Sequence, residues 1–277
     1  MTHPTQLHER LVKELRQAPD QVNLARAALY VAQEEYPDLD IPAHLEMIGR
    51  MAETLGQRLP KTSYPLKLIR AINQYLFEDL NFRGNTADYY DPRNSFLNDV
   101  LHRRVGIPIT LSLVYLELAQ RIGFPMVGVG MPGHFLIRPT GEDMAIFVDP
   151  FHQGEILFEQ DCRDRFQHLF GDGAPFSTDH LTPITPTAFV VRILANLKMI
   201  YLQQRNVAKA LDAINRILLI SPEATGEWRD RGLIHYQQGQ NDKALLDLQR
   251  YLYESPNATD AYEIRRVIQQ IERVQDD

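Results

Sequence analysis

The chain has 277 residues, 44% hydrophobic and 23% charged, a composition that supports buried cores and leaves room for two domains. A formal net charge of −7 argues against a general nucleic-acid footprint, which needs a basic surface. No run approaches the roughly 18 continuous apolar residues of a membrane span, no basic-then-apolar leader opens the chain, and a single cysteine, Cys162, excludes an internal disulfide framework. A reducing, cytoplasmic compartment is the expectation, and nothing in the sequence asks for a cofactor.

Residues 6–59 read as helices. Leu7, Leu11 and Leu15 share one face, and Val22, Leu24, Ala25, Ala28, Leu29 and Val31 continue the pattern. Residues 36–40 form a loop in which Asp40 caps a helix opening at Ile41-Pro42. Another helix is predicted over 65–80, followed by a polar loop over 81–92 long enough to suggest function. A helix over 95–103 turns Phe96, Val100 and Leu101 inward. Gly106-Ile107-Pro108-Ile109-Thr110 then opens a strongly apolar, buried helix over 111–122, ending at Gly123.

The period next changes to that of strands, at 126–129, 134–138 and 145–149, with a type II′ turn predicted at Gly141-Glu142. Without a bulge, that turn sets His134 directly across from Asp149, their Cβ atoms on the order of 5 Å apart. A short strand beginning at Gly154-Glu155-Ile156, a helix over 159–170 and a Gly- and Pro-rich linker over 171–186 follow.

The remainder repeats itself at a shift of 34 residues. Gln203-Gln204 maps onto Gln237-Gln238, Lys209-Ala210-Leu211 onto Lys243-Ala244-Leu245, and Ser221-Pro222 onto Ser255-Pro256. That is the tetratricopeptide period. Two repeats, 191–224 and 225–258, are expected, with an amphipathic helix beyond them carrying Tyr262, Ile264, Val267, Ile268 and Ile271 as a cap. Gly232 and the alanines let paired helices approach, Trp228 and Leu248 fill between them, and Pro222 and Pro256 stop the second helices. Such a module binds other polypeptides or braces its own chain. Lys198 at the glycine position and His235 at a tyrosine position depart from the pattern.

A buried helix followed by strands bearing His and then Asp-Pro is the order of a papain- or transglutaminase-like core. The segments Tyr89-Tyr90-Asp91-Pro92-Arg93-Asn94-Ser95-Phe96-Leu97-Asn98, Arg104-Val105-Gly106-Ile107-Pro108-Ile109-Thr110-Leu111-Ser112, Pro132-Gly133-His134-Phe135-Leu136 and Val148-Asp149-Pro150-Phe151 together resemble the bacterial SirB-like family. The resemblance implies an α+β fold over 1–170, a helical region with a transglutaminase-like core, then the linker and an all-α repeat module over 187–277. It also implies that His134 and Asp149 match the core's histidine and aspartate.

The expected cysteine is missing. Its place at the start of the buried helix falls near 108–110, where Thr110 and then Ser112 offer hydroxyls, and Cys162 lies too late in the chain. A thiol beside histidine at a helix N-terminus ionises near neutrality, whereas a hydroxyl depends wholly on a general base. Thr110 and Ser112 read either as nucleophiles served by His134 and Asp149, or as helix caps and buried hydroxyls. His134 reads either as a site residue or as a packing histidine held by Asp149. Tyr89, Tyr90, Asn94, Ser95 and Asn98 either line a cleft or order the long loop. Arg103-Arg104 is an anion contact or a solvated helix end. A metal site from His134, Asp149, His152 and Cys162 lacks a recognised ligand spacing, so no metal is expected. The leading expectation is a non-catalytic member that binds a protein or peptide through its core cleft or its repeats. The rival is an acyl-transfer or hydrolytic enzyme.

Overall fold

The computed structural model describes residues 4–59, 64–141 and 145–276. The chain divides into two units, Met1–Ile193 and Leu194–Asp277.

The first unit opens with three helices, α1 (Pro4–Leu15), α2 (Leu24–Ala32) and α3 (Ile41–Gly56). Side-chain caps set two of the starts. Asn23 Oδ1 accepts from Arg26 N–H at 2.8 Å, and Asp40 Oδ1 from Ala43 N–H at 2.9 Å, meeting donors that a first turn leaves orphaned. The next helix does not run unbroken to residue 80. An α-helix, α4 (Pro65–Asn73), passes into a π-helical turn, Gln74–Asp79, where the consecutive Tyr75, Leu76 and Phe77 are all buried. The polar loop that follows is tied down at its start, because β1 (Arg83–Gly84) pairs in parallel with β2 (Val105–Gly106). Between them lies α5 (Leu97–Arg103).

The centre of the unit is α6 (Pro108–Arg121), in which every residue from Pro108 to Ala119 is buried. Its Tyr115 hydroxyl reaches Asn73 Oδ1 at 3.0 Å, and Asn73 Nδ2 donates to the Gly154 carbonyl at 2.7 Å. A buried polar chain therefore joins α6, α4 and the sheet region.

That sheet has four antiparallel strands in the order β3 (Met126–Val129), β4 (Leu136–Pro139), β5 (Phe147–Asp149) and β6 (Glu155–Leu157). Its register corrects the sequence reading. A turn placing His134 opposite Asp149 would pair Ile137 with Ile146, but Ile137 pairs with Val148. A slip of two residues leaves every side chain on its original face, so alternation cannot tell the two registers apart. Glu142 of the predicted turn lies outside the described residues.

Helix α7 (Glu159–Phe170) follows. Val129, Met131, Leu136, Phe147, Leu157, Cys162 and Leu181 form one buried cluster. Leu181 belongs to a 3₁₀ turn, Thr178–Leu181, inside the segment read as a linker, and Ile184 N–H donates to the Gly128 carbonyl at 3.0 Å.

Helix α8 (Pro186–Gln203) spans the division between the units. The second unit continues with α9 (Val207–Ile220), α10 (Thr225–Gln237), α11 (Asn241–Glu254) and α12 (Ala261–Asp276), two helical hairpins and a closing helix. Ile264 and Ile268 of α12 pack with Leu248 and Tyr251 of α11. Lys198, the departure from the glycine position, is buried and bonds Glu227 at 2.7 Å and Asp230 at 2.9 Å. A buried ammonium is tolerated because it is doubly paired.

Gly154 has φ +75, and a Cβ there would sit 2.1 Å from Asn73 Oδ1. Gly154→Ala should lower stability by about 2–3 kcal/mol, from left-handed strain together with loss of the Asn73 bond. The urea midpoint of the full chain measures it.

Candidate functional site

His134 is not part of a strand. It ends a turn closed by its own N–H on the Met131 carbonyl at 3.0 Å, two residues before β4 begins. The turn is held by an arginine that nothing in the sequence singled out. Arg192, on the first turns of α8, donates through Nη2 to the Met131 carbonyl at 2.9 Å and the His134 carbonyl at 2.7 Å. Its guanidinium lies 5.5 Å from the Phe135 ring centroid. A Cβ on Gly130 would stand 2.9 Å from Arg192 Nη1 and 3.0 Å from Ile184 Cγ2, so a side chain there would push against the clamp.

Asp149 comes to the same place from β5 and is wholly buried. Its Oδ1 accepts from Phe151 N–H at 3.0 Å and His152 N–H at 3.3 Å, capping a 3₁₀ turn over Pro150–His152. Its Oδ2 accepts from His134 Nε2 at 2.8 Å, His152 Nδ1 at 2.7 Å and Arg165 of α7. Arg165 also pairs with Glu155. Burial pushes the carboxyl up, but hydrogen bonds and charge from His134 and His152 outweigh it and hold the group well below the usual carboxylate range.

These contacts define the tautomers. An ionised carboxylate only accepts, so His134 carries its hydrogen on Nε2 and His152 on Nδ1. In the neutral rings the lone pairs then fall on His134 Nδ1 and His152 Nε2. An aromatic run continues from the pair, with Phe151 6.5 Å from His134, Tyr89 6.1 Å from Phe151 and Tyr90 5.3 Å from Tyr89, centroid to centroid. Tyr90 is 52% exposed.

The structure thus brings His134 and Asp149 together, with Tyr89 linked to them through Phe151, and it bonds neither hydroxyl candidate to the imidazole. Thr110 is fully buried. Its Oγ1 donates to the Asn94 carbonyl at 2.7 Å and accepts from Ile107 N–H at 3.1 Å. Ser112 is also fully buried, and its Oγ has no hydrogen-bond partner among the described residues. Neither hydroxyl bonds His134. Cys162 sits in the apolar cluster beneath the sheet, and burial pushes its thiol up to about 12. A thiol so disposed is inert.

Asn94 orders the loop. Its Nδ2 donates to the Asp88 carbonyl at 2.8 Å and the Tyr89 carbonyl at 3.2 Å, while Oδ1 accepts from Asn85 at 3.1 Å. Ser95 Oγ and Asn98 Oδ1 are buried without partners among the described residues. Arg103 pairs with buried Asp91 at 3.1 Å, and Arg104 donates to the Leu80 carbonyl at 2.9 Å. Both arginines of that pair serve internal contacts.

His134, Asp149 and His152 offer ligand atoms within 4.8 Å of one another. Both imidazoles, however, aim at the same carboxylate oxygen, and the Arg165 guanidinium occupies it as well. A dication there would have to displace a positive charge, so the donor set suits a hydrogen-bonded ion cluster better than a metal.

Sequence reasoning missed Arg165, Arg192 and the His152–Asp149 bond. The Asp-Pro dipeptide is a cap-then-first-turn signature, and it could have placed His152 beside Asp149. Arg165 and Arg192 carry no local signal.

A transglutaminase-like superfamily model matches residues 42–195, and a tetratricopeptide repeat model matches residues 197–269. A UPF0162 protein of Xylella fastidiosa (strain Temecula1) is 38% identical over 216 residues, covering 76% of this chain and 76% of that protein. A UPF0162 protein of Vibrio cholerae is 28% identical over 222 residues, 78% of this chain and 80% of that one. The F-box only protein 21 of Mus musculus is 30% identical over 178 residues, 53% of this chain but 28% of its own length. No solved structure gives a significant match.

Two expectations follow from the geometry. Because its folded pKa lies below the ordinary 3.8, Asp149 contributes stability that is fully present above about pH 4 and lost as pH falls through the folded value. Asp149→Asn should therefore cost about 3 kcal/mol at pH 7, and the gap to the parent should narrow below pH 4 in urea titrations at both pH values. Thr110→Val should cost about 1–2 kcal/mol by removing the bonds to Asn94 and Ile107, while Thr110→Ser keeps most of that, read as thermal midpoints.

Proposed function

We propose that this chain, which belongs to the transglutaminase-like superfamily and to the SirB-like UPF0162 family, acts by binding a polypeptide partner rather than by acyl transfer. The observation that carries the reading is the Thr110 hydroxyl. It stands at the start of the buried helix, where the resemblance expects a nucleophile, and it spends its single hydrogen on the Asn94 carbonyl at 2.7 Å. Ser112 is fully buried, and Cys162 is sealed in an apolar cluster. None of these three side chains is placed to attack an acyl carbon, which supports the binding role. Tetratricopeptide repeats generally mediate protein–protein contacts, and two of them support the same role. No helix of the described residues is long and apolar enough to cross a membrane.

One observation favours the rival. His134 retains an Asp149-oriented ring with its lone pair on Nδ1, the arrangement of a general base. Such a base could activate a water, or the amine of a second substrate.

The test is an assay of the full chain on an acyl ester and on a glutamine peptide with an amine donor, beside His134→Ala. Turnover equal to the buffer blank in both proteins is expected. Turnover present in the parent and at least a hundredfold lower in His134→Ala sinks the binding-only reading.

A further inference from the structure

Two histidines outside the Asp149 cluster meet on the helices of the first unit. His44 lies on α3 and His102 in the last turn of α5. Their rings stand 5.1 Å apart, centroid to centroid, with planes inclined at 69°. Both are tied back in the same way. His44 Nδ1 bonds the Asp40 carbonyl at 2.7 Å, and His102 Nδ1 bonds the Asn98 carbonyl at 2.7 Å, each four residues earlier in the chain. Those carbonyls are themselves fixed, because Asp40 caps α3 through Ala43 N–H at 2.9 Å and Asn98 is buried.

A carbonyl only accepts, so each ring carries its hydrogen on Nδ1 and, when neutral, its lone pair on Nε2. Neither Nε2 has a hydrogen bond among the described residues, nor does either ring pair with a carboxylate there. His44 is half-buried and His102 exposed, so the pair is open to solvent. A bond from the other ring nitrogen to a backbone carbonyl is the arrangement that orients an imidazole toward a metal and raises its basicity. The spacing agrees with it. Zinc stands about 2.0–2.1 Å from an imidazole nitrogen, hence about 3.2 Å from the ring centroid, and a tetrahedral angle sets two such centroids about 5.2 Å apart. The rings already hold 5.1 Å. In the Asp149 cluster the Arg165 guanidinium stands where an ion would go. Here the arginine next in sequence, Arg103, is drawn to buried Asp91 at 3.1 Å.

We infer that His44 and His102 form a surface site for a borderline divalent transition-metal ion, zinc(II) foremost, bound through their two Nε2 atoms. The remaining coordination positions are left to water or to a donor from a second molecule. Imidazole nitrogens select against magnesium and calcium, which take oxygen ligands. Two protein ligands hold zinc more loosely than the three of a catalytic site or the four of a structural one, so binding here is reversible. The site shares no residue with the His134 cluster and does not depend on the binding role proposed above.

The experiment titrates the chelator-treated full chain with zinc chloride in a calorimeter at about pH 7.5, since a metal binds only the neutral imidazole. His44→Gln and His102→Gln should each weaken zinc binding at least tenfold, and the double variant should lose one zinc per chain. On the parent chain labelled with nitrogen-15 histidine, zinc should shift the Nε2 resonances of both rings together. No zinc uptake, uptake undiminished in the double variant, or a shift at one ring only overturns the site. The resonances are read on the unsubstituted chain, so the outcome is decided even where a variant fails to fold.

Discussion

A single buried carboxylate organises the candidate site of the first unit. Asp149 has no exposed surface, and its two oxygens accept from the backbone of the turn that follows it, from two imidazoles and from a guanidinium. Removing such a group from water is unfavourable by several kcal/mol unless its partners hold good geometry. That requirement reaches outward. It specifies the 3₁₀ turn over Pro150–His152, the approach of α7 through Arg165, and the place of the turn bearing His134, which Arg192 holds from α8.

The same organisation bears on the binding role proposed above. His134 is an oriented imidazole bonded through Nε2 to Asp149, while the start of α6 offers the Thr110 hydroxyl and no thiol. A thiolate needs only a lowered pKa to attack, whereas the hydroxyl present must lose its proton to a base at the moment of reaction. Thr110 is bonded to Asn94 and Ile107 and not to His134. Its hydroxyl secures the loop from Asn85 to Asn94 against the start of α6, a structural task.

The open edge of β3 is a separate consequence of local chemistry. Proline at 183 and at 186 lets the chain touch the sheet once and then leave it as a helix. Exposed strand edges are usually blunted by charge or by short length. Here the strand is short, and its Met126 and Gly128 are buried.

Much of the architecture was legible in local pattern. The 34-residue period, the cap at Asp40, the strongly apolar α6 and the bounds of α7 all follow from propensities and periodicities legible along the chain. The His134–Asp149 contact was anticipated, although through a register that the sheet does not adopt, because a slip of two residues leaves the pattern of faces unchanged. The roles of Thr110, Arg165 and Arg192 were decided only when distant segments met. A hydroxyl becomes a cap or a nucleophile according to the acceptor the fold sets beside it, and an arginine becomes a clamp according to the carbonyls it reaches. Neither relation is encoded at any fixed spacing along the chain, so the sequence by itself determined the elements and their faces, and tertiary packing alone decided the chemistry between them.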